Sequence, residues 1–135
     1  MSTKRFPAKF EILDEVREHV GGLARKHGFG ERAIYSVQLA ADEAASNIIE
    51  HAYAGRAIAT FLLRCEYSNG RLIMTFLDRG QSFDFSKVRT PDIRADLSER
   101  KIGGLGIFLM HKLMDEVDYK VTGSGNYLTL VKRKE

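Results

Sequence analysis

Apolar positions along the chain recur with two different periods. Phe6, Ala8 and Phe10 alternate with other positions, and Ile12, Leu13, Val16, Val20, Leu23 and Ala24 then recur at three- and four-residue intervals up to Gly28. Alternate side chains share one face of a strand, whereas those three or four apart share one face of a helix. The pattern predicts a strand leading into an amphipathic helix. From about Glu31 to Tyr53 the set Ile34, Val37, Ala41, Ala44, Ile48 and Ala52 keeps the helical period, and Gly55 ends it.

The period then changes. Ala57 to Tyr67 and Leu72 to Leu77 are rich in strand formers and are joined through Ser68-Asn69-Gly70, where Asn-Gly supplies the positive φ angles of a tight hairpin. Residues 79–102 lose periodicity and carry Pro91 and many charges. A loop of that length, about two dozen residues, is usually functional or disordered, and it is expected to act as a lid. Leu105 to Met114 reads as a helix, followed by Val117 to Val121, a Gly-Ser-Gly-Asn turn and Tyr127 to Val131 as a closing hairpin. The order strand, helix, helix, hairpin, loop, helix, hairpin predicts an α+β, two-layer α/β sandwich: a mixed, mostly antiparallel sheet with helices on one face.

Composition narrows the function classes. A chain of 135 residues with 44% hydrophobic content has the size of one compact domain spanning 1–135. The formal charge of +3 is spread along the chain without a basic run, which argues against direct nucleic-acid binding. One cysteine, Cys65, permits neither an internal disulfide nor a Cys-based metal set. The polar start lacks an apolar leader, and no apolar run approaches the ~20 residues of a membrane span. A soluble cytoplasmic protein without membrane contact is expected.

Three short stretches carry candidate chemistry. Glu43 and Asn47, four residues apart, project from one helical stripe with His51 a further turn along. A carboxylate and a carboxamide so aligned suit a general base and a Mg²⁺ oxygen ligand, although a solvated face bearing Asp42, Glu43, Asn47 and Glu50 is the plainer reading of this stretch alone. Asp78 ends an apolar strand, where its carboxylate suits a hydrogen bond from an exocyclic amine, and Gly80 lets the backbone pass close to a ring; a plain turn is the alternative. Gly103-Gly104-Leu105-Gly106 precedes a helix, where free N–H groups and the helix dipole favour phosphate, or where the glycines serve as a hinge.

In this order the three pieces resemble the nucleotide-binding boxes of the GHKL (Bergerat-fold) ATPase superfamily, most closely its anti-sigma-factor serine/threonine kinases. Glu43-Ala-Ala-Ser-Asn47-Ile-Ile-Glu-His51-Ala-Tyr53 is similar to the N-box, in which the Glu is the base and the Asn a Mg²⁺ ligand. Asp78-Arg-Gly80 resembles the first glycine box, whose Asp recognises adenine, and Gly103-Gly-Leu-Gly106 with Asp115-Glu-Val-Asp118 resembles the second and the strand after it. The last box departs: where the family often has Gly-Thr, this chain has Gly125-Asn126-Tyr127-Leu128-Thr129, with Thr129 reading as a strand residue.

The resemblance implies ATP and Mg²⁺ as cofactors, Asn47 as metal ligand and Glu43 as catalytic base. It places the glycines 103, 104 and 106 with Leu105 near the phosphates; Arg100 and Lys101, just before these glycines, suit phosphate charge under a closed lid or are plain solvated charges, and His51 orients the phosphates or is a structural histidine at a helix end. It further implies a small anti-anti-sigma protein as substrate, a sigma factor as second partner, and a homodimer. The same groups also suit a slow ATPase or a non-catalytic, ATP-dependent sequestering module, and a loop used as a protein-binding arm without nucleotide is a third reading.

Overall fold

The computed structural model describes residues 1–52, 59–82 and 104–134. Strand β1 (Ser2–Pro7) is followed by a 3-10 turn (Phe10–Ile12), helices α1 (Leu13–Lys26) and α2 (Glu31–Asn47), and a π-wound turn (Ile48–Ala52). Strands β2 (Thr60–Ser68) and β3 (Arg71–Asp78), helix α3 (Gly104–Leu113) and strands β4 (Glu116–Thr122) and β5 (Gly125–Arg133) complete the order. The five strands form one sheet, β1-β2-β3-β5-β4, and each described pairing is antiparallel. This is the expected α+β arrangement.

One face of the sheet supplies the core. Alternate residues Phe61, Leu63 and Cys65 of β2, Leu72, Met74 and Phe76 of β3, and Leu128 and Leu130 of β5 are buried against the helices. Helix α2 contacts both α1 and α3. Its buried Ala40, Ala41, Ala44 and Ala45 explain how: small side chains let neighbouring backbones approach, so one helix is enclosed from several sides. Arg17 of α1 ties α1 to α2 through an ion pair with Asp42, and Gln38 Nε2 donates to Arg17 O at 3.0 Å.

Two local signals act as the sequence predicts. Helix α1 ends in a Schellman arrangement: Gly28 takes φ +83°, its N–H donates to Arg25 O at 3.1 Å, and Phe29 N–H donates to Ala24 O at 3.0 Å. Asn69 (φ +53°) and Gly70 (φ +74°) form the two-residue turn between β2 and β3, both in the left-handed region that a type I′ hairpin requires.

The first strand lies earlier than its alternation implies. Phe6 is inside, stacked on Phe61 with centroids 5.6 Å apart, but the strand stops at Pro7. Phe10 falls in the 3-10 turn and is 51% exposed. The chain has already bent, with Lys9 N–H donating to Pro7 O at 2.9 Å, so alternation past Pro7 has no sheet to register on. The lid expected over 79–102 lies outside the described residues from residue 83 onward, as do Arg100, Lys101 and Gly103.

Candidate functional site

Glu43 and Asn47 occupy the last two turns of α2, one helical turn apart on a common stripe. Glu43 is half-buried, and Asn47 is 7% exposed. The α geometry ends at Asn47 and gives way to the π-wound Ile48–Ala52, a winding that is rare and concentrated at functional sites. His51 falls in this turn, and its side chain lies outside the described residues.

Helix α3 closes on this stripe through a glycine. The helix begins at Gly104, so Leu105 and Gly106 lie in its first turn, where backbone N–H groups have no intrahelical partner. A Cβ at Gly106 would lie 2.7 Å from Glu43 Oε2 and 3.5 Å from Asn47 Nδ2. The absence of a side chain at 106 is therefore what lets α3 lie against the acid and the amide. Asn47 Nδ2 is buried and has no hydrogen-bond partner among the described residues. Carboxamide oxygen and nitrogen are interchangeable by rotation, so this is an uncommitted polar end at the bottom of a contact shaped by glycine.

A second set forms where β3 meets β5. Asp78 is 4% exposed on the helix-facing side of β3, directly across from Asn126 of β5 in the antiparallel register. Asp78 Oδ1 accepts from Gly80 N–H at 2.8 Å and from Asn126 Nδ2 at 2.9 Å, and the same amide donates to Gly80 O at 2.9 Å. Burial pushes the carboxyl above the ordinary carboxylate value, and the hydrogen bonds from Asn126 and Gly80 pull it back in part. The approach of β5 depends on Gly125, which adopts φ +147° and whose Cβ, were it present, would lie 2.8 Å from Asp78 O. A pocket of about 410 Å³, lined among others by Arg79, Gly80, Ser82 and Ser124, opens beside Asn126.

The structure thus joins Glu43, Asn47 and Gly106 into one cluster and Asp78 with Gly80 into another. Asn126 and Gly125 were not among the expected site residues. The signal was present as a glycine followed by a carboxamide at the start of the last strand, in the place of a familiar Gly-Thr, but only the strand register reveals that it faces Asp78. Thr129 is a residue of β5, as read.

The donor set fits a nucleotide with its metal. Among the described residues no group of three His, Cys, Asp or Glu side chains could hold a metal ion. A Mg²⁺ would therefore rely on the uncommitted Asn47 carboxamide together with phosphate and water oxygens, the donors this ion prefers.

Comparison with known proteins agrees with this geometry. Residues 6–132 match the family model described as histidine kinase-like ATPase domain. Among curated proteins, the chain is 35% identical over 130 residues to the serine-protein kinase RsbW of Halalkalibacterium halodurans, covering 93% of this chain and 78% of that one. It is 32% identical over 119 residues to the serine-protein kinase RsbW of Listeria monocytogenes, covering 85% and 76%. Among solved structures, the RsbU and RsbW domains of a Mycobacterium tuberculosis protein superpose with a TM-score of 0.70 at 17% identity, covering 99% of this chain and 33% of that longer one. The SiaB-SiaC complex of Pseudomonas aeruginosa gives 0.64 at 12% identity, covering 98% and 88%. These last two likenesses concern the fold, whereas the family match and the identity to the RsbW kinases extend over nearly the whole chain: it belongs to the histidine kinase-like ATPase domain family.

Proposed function

We propose that this chain is an ATP-dependent serine/threonine protein kinase of the anti-sigma-factor type, acting in the cytoplasm on a small anti-anti-sigma partner. The observation that carries the reading is the cluster at the end of α2, where a glycine-shaped contact brings Glu43 together with Asn47, whose buried Nδ2 has no hydrogen-bond partner among the described residues. In this reading the adenine amino group is held at Asp78, and the triphosphate runs toward the first turn of α3, whose free N–H groups suit anionic oxygens. Mg²⁺ bound by Asn47 would supply neutralisation of phosphate charge. Glu43 accepts the proton of the partner's Ser or Thr hydroxyl as that oxygen bonds to the γ-phosphorus and the bond to the β–γ bridging oxygen breaks, releasing ADP. Such a transfer relies on positioning and charge stabilisation more than on covalent chemistry, which a few groups on rigid elements supply.

The reading also assigns residues 79–102 as a lid and Arg100, Lys101, Gly103 and His51 as phosphate neighbours. It further takes a sigma factor as second partner and the active protein as a homodimer. These assignments rest on the resemblance of the boxes.

Substituting Glu43 by Gln tests the central role, with Kd for ATP and transfer of the γ-phosphate to an anti-anti-sigma-type protein of the same organism measured together. Transfer is expected to fall by about 10²- to 10⁴-fold, the range of a lost general base, while ATP binding stays nearly intact. A variant that still phosphorylates at the parent rate overturns the assignment, and ATP binding without transfer by the parent protein favours the non-catalytic sequestering module.

A further inference from the structure

The closed ring of hydrogen bonds at the β3–β5 junction is built on the Asn126 amide nitrogen. Both of its hydrogens are committed, one to Asp78 Oδ1 and one to Gly80 O, while Gly80 N–H returns to the same Oδ1. Asn126 is itself 4% exposed, so this is a buried polar arrangement whose members must satisfy one another. Two donors on one carboxylate oxygen fix the rotation of the carboxyl group. Among the described residues none donates to Oδ2.

We infer that Asn126 is a positioning residue for base selection: it locks Asp78 Oδ1 and the Gly80 carbonyl together, so that Asp78 offers Oδ2 alone as acceptor, selecting a 6-aminopurine over a 6-oxopurine. The inference rests on the proposed nucleotide site and adds to it the residue that orients its acid. An exocyclic amine donates to a fixed anionic oxygen, whereas a 6-oxo group would face it acceptor to acceptor and leave both unpaired, the arrangement that polar sites reject most strongly. Asn126 suits the task because the register puts it opposite Asp78, and because Gly125, lacking a Cβ, lets β5 come close to Asp78 O. Its donation also favours the ionised carboxylate against the pull of burial. No charged side chain contributes to the shift at Asp78, which comes from burial and from these two hydrogen bonds.

The test is to measure Kd for ATP and for inosine triphosphate between pH 5 and pH 8 with the intact protein and with Asn126→Ala and Asn126→Thr. The parent is expected to prefer ATP. Loss of one hydrogen bond to a charged group corresponds to about tenfold, so Asn126→Ala is expected to weaken ATP by about that factor at neutral pH and to leave inosine triphosphate nearly unchanged. The pH below which ATP binding is lost should also move upward. Asn126→Thr, whose hydroxyl can still donate to Asp78, should restore most of the preference. Equal weakening of both nucleotides with an unmoved acid limb would make Asn126 a structural residue only and overturn the inference. A parent protein that binds neither nucleotide overturns the site reading along with it, so the two failures are told apart by the parent alone.

Discussion

A Cβ at position 106 would stand 2.7 Å from Glu43 Oε2, closer than any real Cβ contact, so Gly106 and the acid of α2 occupy one shared space. The glycine at 106 is thereby explained by packing: it sets the distance between α3 and α2.

Gly106→Ala is expected to separate stability from activity. The colliding atom is the end of a rotatable side chain, and glycine costs a helix interior roughly 0.5–1 kcal/mol relative to alanine. Unfolding free energy should therefore change by no more than about 1 kcal/mol. The displaced carboxylate should lower phosphotransfer on the order of 10²-fold, as small misplacements of reacting groups do. Urea unfolding and transfer kinetics on the same preparation check both, and an alanine variant with full transfer removes the steric argument.

Asn47→Ala addresses the buried orphan amide. Deleting a group that has no partner among the described residues should alter the free protein by no more than about 1 kcal/mol. The rise in Tm produced by Mg·ATP, which follows ln(1 + [L]/Kd), should shrink. Chelating Mg²⁺ with EDTA should reduce the parent to the level of the variant and leave the variant little changed. Additive effects of EDTA and the substitution would mean that Asn47 does not act through the metal.

Asp78→Asn is nearly isosteric, and both described hydrogen bonds fall on Oδ1, so an amide oxygen can keep them while its NH₂ replaces Oδ2. Burial raises the Asp78 carboxyl above its ordinary value, so the folded protein holds this proton more firmly than the unfolded chain. The stability linked to that proton is fully present below the ordinary carboxylate value and is lost as pH rises through the raised one. At neutral pH the variant should therefore have an unfolding midpoint no lower than the parent, with a flatter acid dependence and no ATP-induced shift. A retained ATP shift would take adenine recognition away from Asp78.

Gly125→Ala should damage the fold instead. Its φ of +147° is unfavourable for alanine, and the obstructing atom at 2.8 Å is the backbone oxygen of Asp78, which cannot rotate away. A loss of about 1–3 kcal/mol is expected from the midpoint of urea unfolding; an unchanged midpoint would show that β5 can be displaced freely.

Much of this was legible in the residues. The period of α2, the Asn69-Gly70 turn and the capping at Gly28 are local signals, and each carried its element into place because propensity and packing agree there. Phe10 misled because alternation is read without knowing where the partner strand ends. Asn126 was passed over for a related reason: its meaning lies in its register with a residue 48 positions earlier, and pairing between distant strands leaves no local trace. The π winding after Asn47 likewise has no periodicity distinct from the helix that it ends.

The pairing of β3 with β5 also orders events in time. Helix α2 and the β2–β3 hairpin can form from neighbouring residues, but Asp78 meets its amide only when the last hairpin docks beside β3. Until then the acid lacks the side-chain donor that fixes its carboxyl. If Asp78 holds the base as proposed, a molecule in which β5 has not yet docked cannot present a finished site to nucleotide.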